Sequence, residues 1–251
     1  MGRRVVVTGA SSGIGAAVAA QLTAAGDTVA ICARRLDRLA EVPAAFRYGV
    51  DVGDAAALEV FAGQVEADLG GVDVLVNNAG ASRRRTMQSI TLAEFGETMD
   101  VNFWSAVRLT HHLLPAMLER GSGTIVNVSS MGTRTLAIRT GAYTAAKGAL
   151  NHYTEALYLD LVDTGVTAKL FIPGATATEF SVPKPGNDEP FPMDPASVMS
   201  ADSVAAALIA ALDTDEFEVF ADPKYAAQTA RKYADNNAYV VGAREMFRRR
   251  R

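Results

Sequence analysis

The sequence predicts an α/β fold, a doubly wound parallel sheet of about seven strands with helices on both faces. Three observations carry that expectation. Short β-branched runs alternate with longer Ala- and Leu-rich stretches of helical period, the pattern of repeated βαβ units. The 251 residues, 49% of them hydrophobic, are enough for one core without disulfides or a structural metal. The glycine- and serine-rich segments follow strand-like runs, and open sheets bind their ligands at the carboxyl ends of strands.

In chain order, the valine run at residues 3–7 is the first expected strand, followed by a helix at 14–24. Strands at 29–33 and 46–50 precede a helix at 55–69, and a strand at 72–76 precedes a long helix at 95–118. The apolar run at 124–128 leads into a helix at 143–161; strands at 168–172 and 218–220 flank a helix at 204–212. The helical stretches are low in Gly and Pro. One region breaks the alternation: Pro183, Pro185, Pro190, Pro192 and Pro195 exclude a continuous helix or central strand. With Phe180, Val182, Phe191 and Met193, the stretch at about 175–200 is expected to form a substrate lid. Residues 1–251 are expected to form one domain that ends in a helical extension at about 223–251, carrying Tyr225, Tyr233, Tyr239, Val240 and Phe247.

Lys and Arg total 24 against 28 Asp and Glu, a net charge of -4 that offers nucleic acid or an anionic membrane no whole-molecule attraction. Arg83-Arg84-Arg85 and Arg248-Arg249-Arg250-Arg251 lack an accompanying aromatic array and read as surface charge. No nucleic-acid or membrane partner is therefore expected. The lone Cys32 cannot close an intramolecular disulfide, and no apolar run reaches the roughly 20 residues of a membrane span, so a cytoplasmic location is expected. His111, His112 and His152 have no metal-ligand spacing, and no metal is expected.

After the first strand comes Thr8-Gly9-Ala10-Ser11-Ser12-Gly13-Ile14-Gly15. Its glycines allow a tight turn and let backbone approach a pyrophosphate at a helix N-terminus, so the sheet is of single Rossmann type. Ser11 and Ser12 either add hydrogen bonds to phosphate or cap the helix. Three residues, rather than one, separate the first two glycines.

That spacing resembles the classical short-chain dehydrogenase/reductase family, whose Thr-Gly-x-x-x-Gly-x-Gly signature is matched at each defined position. The resemblance implies that Asn78, Ala79 and Gly80, in the run Asn77-Asn78-Ala79-Gly80, border the adenine ribose and steady the sheet centre. It likewise implies that Asp51 and Val52 contact adenine, although Asp51 and Asp54 are also ordinary cap candidates. Pro173 and Gly174 resemble the segment beside the nicotinamide, with Thr178 or Thr176 as its carboxamide contact. The second strand ends Ala33-Arg34-Arg35, without the acid that an NAD site uses on the ribose 2'-hydroxyl. Arg34, with Arg35 as helper, is expected to pair with the extra phosphate of NADP(H), the expected cofactor.

Tyr143 and Lys147 stand four residues apart, which on a helix places phenol and ammonium on one face. Proton transfer to an alcohol near neutral pH calls for lowering the phenol from about 10 to about 7, roughly 4 kcal/mol. One positive charge about 4 Å away supplies on the order of 4 kcal/mol at an effective dielectric of about 20. The run 124–128 ends in Ser129-Ser130, and Ser130 has the separation of the family's catalytic serine. Asn102 matches its fourth member, expected to hold a water linked to Lys147, or else to be a buried amide satisfied by backbone. The resemblance implies a carbonyl or alcohol substrate and a homodimer or homotetramer. A noncatalytic NADP(H)-responsive binding or scaffolding protein is the alternative, since this fold binds cofactor without chemistry as well.

Overall fold

The computed structural model describes residues 2–136, 138–182, 186–188 and 195–249. Among them, seven strands form one parallel sheet: β1 (Arg4–Thr8), β2 (Thr28–Ala33), β3 (Phe46–Gly49), β4 (Val74–Asn77), β5 (Gly123–Val128), β6 (Val166–Ile172) and β7 (Glu218–Phe220). The order is β3-β2-β1-β4-β5-β6-β7. Strand order therefore reverses beside β1, whose register sets Val7 against Ile31 on one side and Val76 on the other. A crevice opens at such a reversal, at the carboxyl ends of the strands.

Successive side chains of a strand leave opposite faces, and β1 shows it. Val5 and Val7 pack with Val18 and Leu22 of α1 (Gly13–Ala24) and Val204 and Leu208 of α7 (Ala201–Ala211). Val6 packs on the other face with Leu58 and Phe61 of α3 (Ala55–Leu69) and Leu109 and Leu113 of α5 (Ser105–Arg120). The inner strands are thus buried on both sides, which is why they read as continuous apolar runs.

Three expectations are corrected in detail. The single helix expected at 95–118 is α4 (Leu92–Met99), one π-helical turn (Asp100–Trp104) and then α5. Its start lies three residues earlier because Thr91 and Glu94 close a capping box, which makes Leu92 the first helical residue. Between β2 and β3 a four-residue helix α2 (Leu36–Leu39) is present, too short to show a period. The C-terminal extension is two helices, α8 (Lys224–Ala234) and α9 (Asn236–Arg248), broken at Asp235, whose carboxylate accepts from the Ala238 N–H at 2.8 Å. Pro183, Pro185, Pro190, Phe191, Pro192 and Met193 of the expected lid, with Arg250 and Arg251, lie outside the described residues. α6 (Gly141–Asp160) carries the Tyr143 and Lys147 pair.

Candidate active site

The first wall of the crevice is the loop between β1 and α1. Gly9 and Gly13 have φ of +68° and +59°, a backbone state that costs other residues. A Cβ on Gly9 would stand 2.7 Å from the Ala79 Cα, so the loop and the Asn-Ala-Gly run touch backbone to backbone. Thr8 joins them: its Oγ1 accepts from the N–H groups of Asn78 (3.1 Å) and Ala79 (3.0 Å). Beneath, Asn77 Nδ2 donates to Asn127 Oδ1, and Asn127 Nδ2 to Thr154 Oγ1, both at 2.9 Å. This buried chain ties β4, β5 and α6 together at the sheet centre.

Ser12 precedes α1 in extended conformation and makes no side-chain cap, whereas Asp54 caps α3 through the N–H groups of Ala56 and Ala57. The first-turn N–H groups of α1 are thus left without a cap from the Ser12 side chain. Its hydroxyl, with that of Ser11, instead accepts from Arg35 Nη2, both at 3.1 Å. Arg35 Nη1 meets Glu179 Oε2 at 2.7 Å, while the one acid that Arg34 approaches among the described residues is Asp51, at 3.9 Å. Asp54, and not Asp51, is the helix cap; Asp51 accepts from the Gly53 N–H at 3.0 Å and faces the crevice.

At the other end, Ser130, Tyr143 and Lys147 line the same cleft of about 660 Å³. Ser129 points away and donates to Asn151 on α6, and Ser130 Oγ accepts from the Gly132 N–H at 3.0 Å. Lys147 Nζ donates to the Val128 carbonyl at 2.8 Å, and burial brings its pKa down to about 8. Burial pushes the Tyr143 phenol above its ordinary range, and the hydrogen bond with Ser130 pulls it part of the way back. Burial therefore outweighs the other influences on the phenol, and Lys147 is not among the groups that shift it in this structure. The Phe180 ring lies against Tyr143, centroids 5.4 Å apart.

Asn102 is buried in the π-helical turn: Nδ2 donates to the carbonyls of Ala81 (2.9 Å) and Thr98 (2.8 Å), and Oδ1 accepts from the Ala81 N–H (3.1 Å). Its amide is satisfied by backbone, the second of the two readings open from sequence. It stands near the lysine nonetheless, since a Cβ at Gly80 would be 3.0 Å from Asn102 Oδ1 and 3.8 Å from Lys147 Nζ. Gly15 also stands behind the cleft, packed on Asn78 and Gly9.

Gly9, Ser11, Ser12, Gly13, Ile14, Arg34, Arg35, Asp51, Val52, Asn78, Ala79, Gly80, Pro173, Gly174, Thr176 and Thr178 all line the cleft. Thr176 Oγ1 turns back to the Gly174 carbonyl at 3.1 Å, and Thr178 packs over Gly13. Met131, Thr135 and, within the expected lid, Glu179 also line the cleft; sequence reasoning did not single out Val50 or Val101 there. No period or motif marks them, since each reaches the cleft through tertiary packing. Arg83 to Arg85 are internally engaged: Arg83 and Arg85 pair with Glu94, and Arg84 donates to the carbonyls of Ser181, Val182 and Asp188. Among the described residues no cluster of metal-binding side chains occurs, and no helix is long and apolar enough to cross a membrane.

The family model for short chain dehydrogenase matches residues 3–188. An uncharacterized oxidoreductase of Mycobacterium tuberculosis is 43% identical over 178 residues, 66% of this chain and 52% of the relative. The chain thus spans about half the length of the curated relatives of that kind. A short-chain dehydrogenase from Streptomyces avermitilis superposes with a TM-score of 0.83 at 31% identity, covering 98% of this chain and 97% of the other. An alcohol dehydrogenase from the archaeon Thermococcus sibiricus, solved with 5-hydroxy-NADP, gives 0.76 at 27% identity, covering 88% and 96%.

Proposed function

The chain belongs to the short-chain dehydrogenase/reductase family, and from that premise we propose that it is an NADP(H)-dependent oxidoreductase acting on a carbonyl or alcohol. One observation carries the proposal: a single cleft has an uncapped helix N-terminus and two arginines at one end and Ser130, Tyr143 and Lys147 at the other.

The site fits a dinucleotide. The close approach of Gly9 to Ala79 leaves backbone where a Cβ would intrude, and the first-turn donors of α1, uncapped by Ser12, suit a pyrophosphate. The Thr8 to Gly15 loop, Asp51, Val52, Asn78, Ala79 and Gly80 would hold the adenosine half. Pro173, Gly174, Thr176 and Thr178 would hold the nicotinamide half. Arg34 and Arg35 would take the 2'-phosphate, there being no acid at Ala33. Once bound, the dinucleotide would supply the hydride in reduction and accept it in oxidation.

Ser130 and Tyr143 hydrogen-bond the substrate oxygen, and Tyr143 gives it a proton in reduction or takes one in oxidation. A phenol held above its ordinary pKa enters reduction already protonated. Lys147, at about 8, is mostly cationic at neutral pH and stabilises the tyrosinate left behind. Asn102 positions the Ala81 loop and the π-helical turn against Gly80 rather than touching substrate. Exposed Trp104, Leu118, Leu159 and Val162, around α5 and α6, support a homodimer or homotetramer.

Tyr143→Phe tests the reading. NADPH oxidation with a panel of aldehydes and ketones is expected to fall by about a hundredfold or more, with NADPH affinity preserved. Turnover near that of the native chain would remove Tyr143 from the reaction.

A further inference from the structure

Glu179 begins the short turn Glu179–Ser181 in the segment that leaves β6. Its Oε2 is 2.7 Å from Arg35 Nη1 and its Oε1 3.7 Å from Arg38 Nη2. The same Arg35 guanidinium donates to Ser11 and Ser12 at the glycine loop, so segments 144 residues apart converge on one cation. Thr178 pins the turn there, since a Cβ on Gly13 would lie 2.8 Å from Thr178 Cγ2. Among the described residues lining the cleft, only Asp51 and Glu179 are acidic. The side chains of Arg35 and Glu179 are 44% and 46% exposed, so water screens the pair and it exchanges readily.

A guanidinium pairs with a carboxylate or with a phosphate through the same fork of donors, and a phosphate dianion next to an unneutralised carboxylate is repelled. We propose that Glu179 is a cofactor-selectivity residue: it occupies Arg35 when no 2'-phosphate is bound and opposes that phosphate when it arrives. The chain then discriminates NADP(H) from NAD(H) less than its arginines alone would allow. The inference rests on the proposed 2'-phosphate site. Glu179 lies outside the apolar core, so its substitution leaves the fold intact.

Calorimetric titration of the full chain with NADP and with NAD tests it, using the native chain, Glu179→Gln, Arg34→Ala and Arg35→Ala. Glu179→Gln is expected to tighten NADP binding about tenfold while NAD binding moves less than about twofold. Arg35→Ala is expected to weaken NADP alone. An unchanged or reduced NADP preference in Glu179→Gln, with an arginine variant still weakening NADP, overturns the role of Glu179 and leaves the 2'-phosphate site standing. Equal NADP and NAD affinities that neither arginine variant moves overturn the 2'-phosphate site, and Glu179 falls with it.

Discussion

Along the first wall of the cleft, from Thr8 to Gly13, the contacts behind the loop are buried and made by short polar side chains to backbone. Along the second, from Pro173 to Val182, they include the exposed ion pairs of Glu179, besides the Ser181 and Val182 carbonyls that the buried Arg84 takes. Thr8 is 3% exposed and its hydroxyl serves two N–H donors, whereas Glu179 shares two wet arginines. Breaking a buried bond strands a partner away from water, and breaking an exposed one lets water replace it. The first wall is therefore the preformed part of the site, and the second is the part able to give.

The harshest way to break that contrast is Gly9→Ala. The added methyl would meet the Ala79 Cα at 2.7 Å with φ at +68°, so backbone rather than a flexible side chain would have to shift. Left-handed strain of about 1–2 kcal/mol and overpacking of about 1–3 kcal/mol together give an expected loss of roughly 3 kcal/mol. Urea unfolding measures it, and an unchanged midpoint would show slack in the first wall.

Lys147 sharpens the contrast from the buried side. Its folded pKa, about 8, lies below the ordinary 10.5, so the charged form is penalised in the folded state. Below pH 8 the lysine is cationic folded and unfolded, and the full penalty of roughly 3 kcal/mol applies. Between 8 and 10.5 the unfolded chain binds the extra proton, and stability rises with pH. Lys147→Met removes the penalty but leaves the Val128 carbonyl without its donor, at about 1 kcal/mol. A net gain of about 2 kcal/mol at neutral pH is expected, shrinking through that window, together with loss of activity. A gain that stays flat with pH would refute the burial penalty.

The same contrast explains what could be read in the sequence. All seven strands fall within two residues of their expected limits, the inner ones β1, β2, β4, β5 and β6 because burial on both faces leaves continuous apolar runs. Gly9, Tyr143 and Lys147 were legible because turn geometry and helical spacing are local, and Ser130 because its separation from Tyr143 resembles that of the family's catalytic serine. α2 was missed because Leu36–Leu39 spans barely one turn, and the break at Asp235 because an Asp inside a polar helix looks like any other. The partners of Arg35, Arg84 and Lys147 were not legible either. Glu179, Ser181 and the Val128 carbonyl reach them only after the chain has folded, and no residue spacing encodes that.

The smallest expected effect lies behind the second wall. Tyr225 of α8 is 5% exposed, and its hydroxyl, buried among the described residues without a hydrogen-bond partner, abuts Gly174 so closely that a Cβ there would fall 2.0 Å from it. The ring is anchored with Met131, Leu170 and Ile172, so its apolar body contributes and its polar tip does not. Tyr225→Phe keeps the shape and drops the unsatisfied group, whose burial costs roughly 1–3 kcal/mol. The variant is expected to be more stable by about 1 kcal/mol, a rise of some 2–4 °C in Tm. A loss of similar size would mean that the hydroxyl is satisfied after all, by ordered water, and that the second wall is finished as completely as the first.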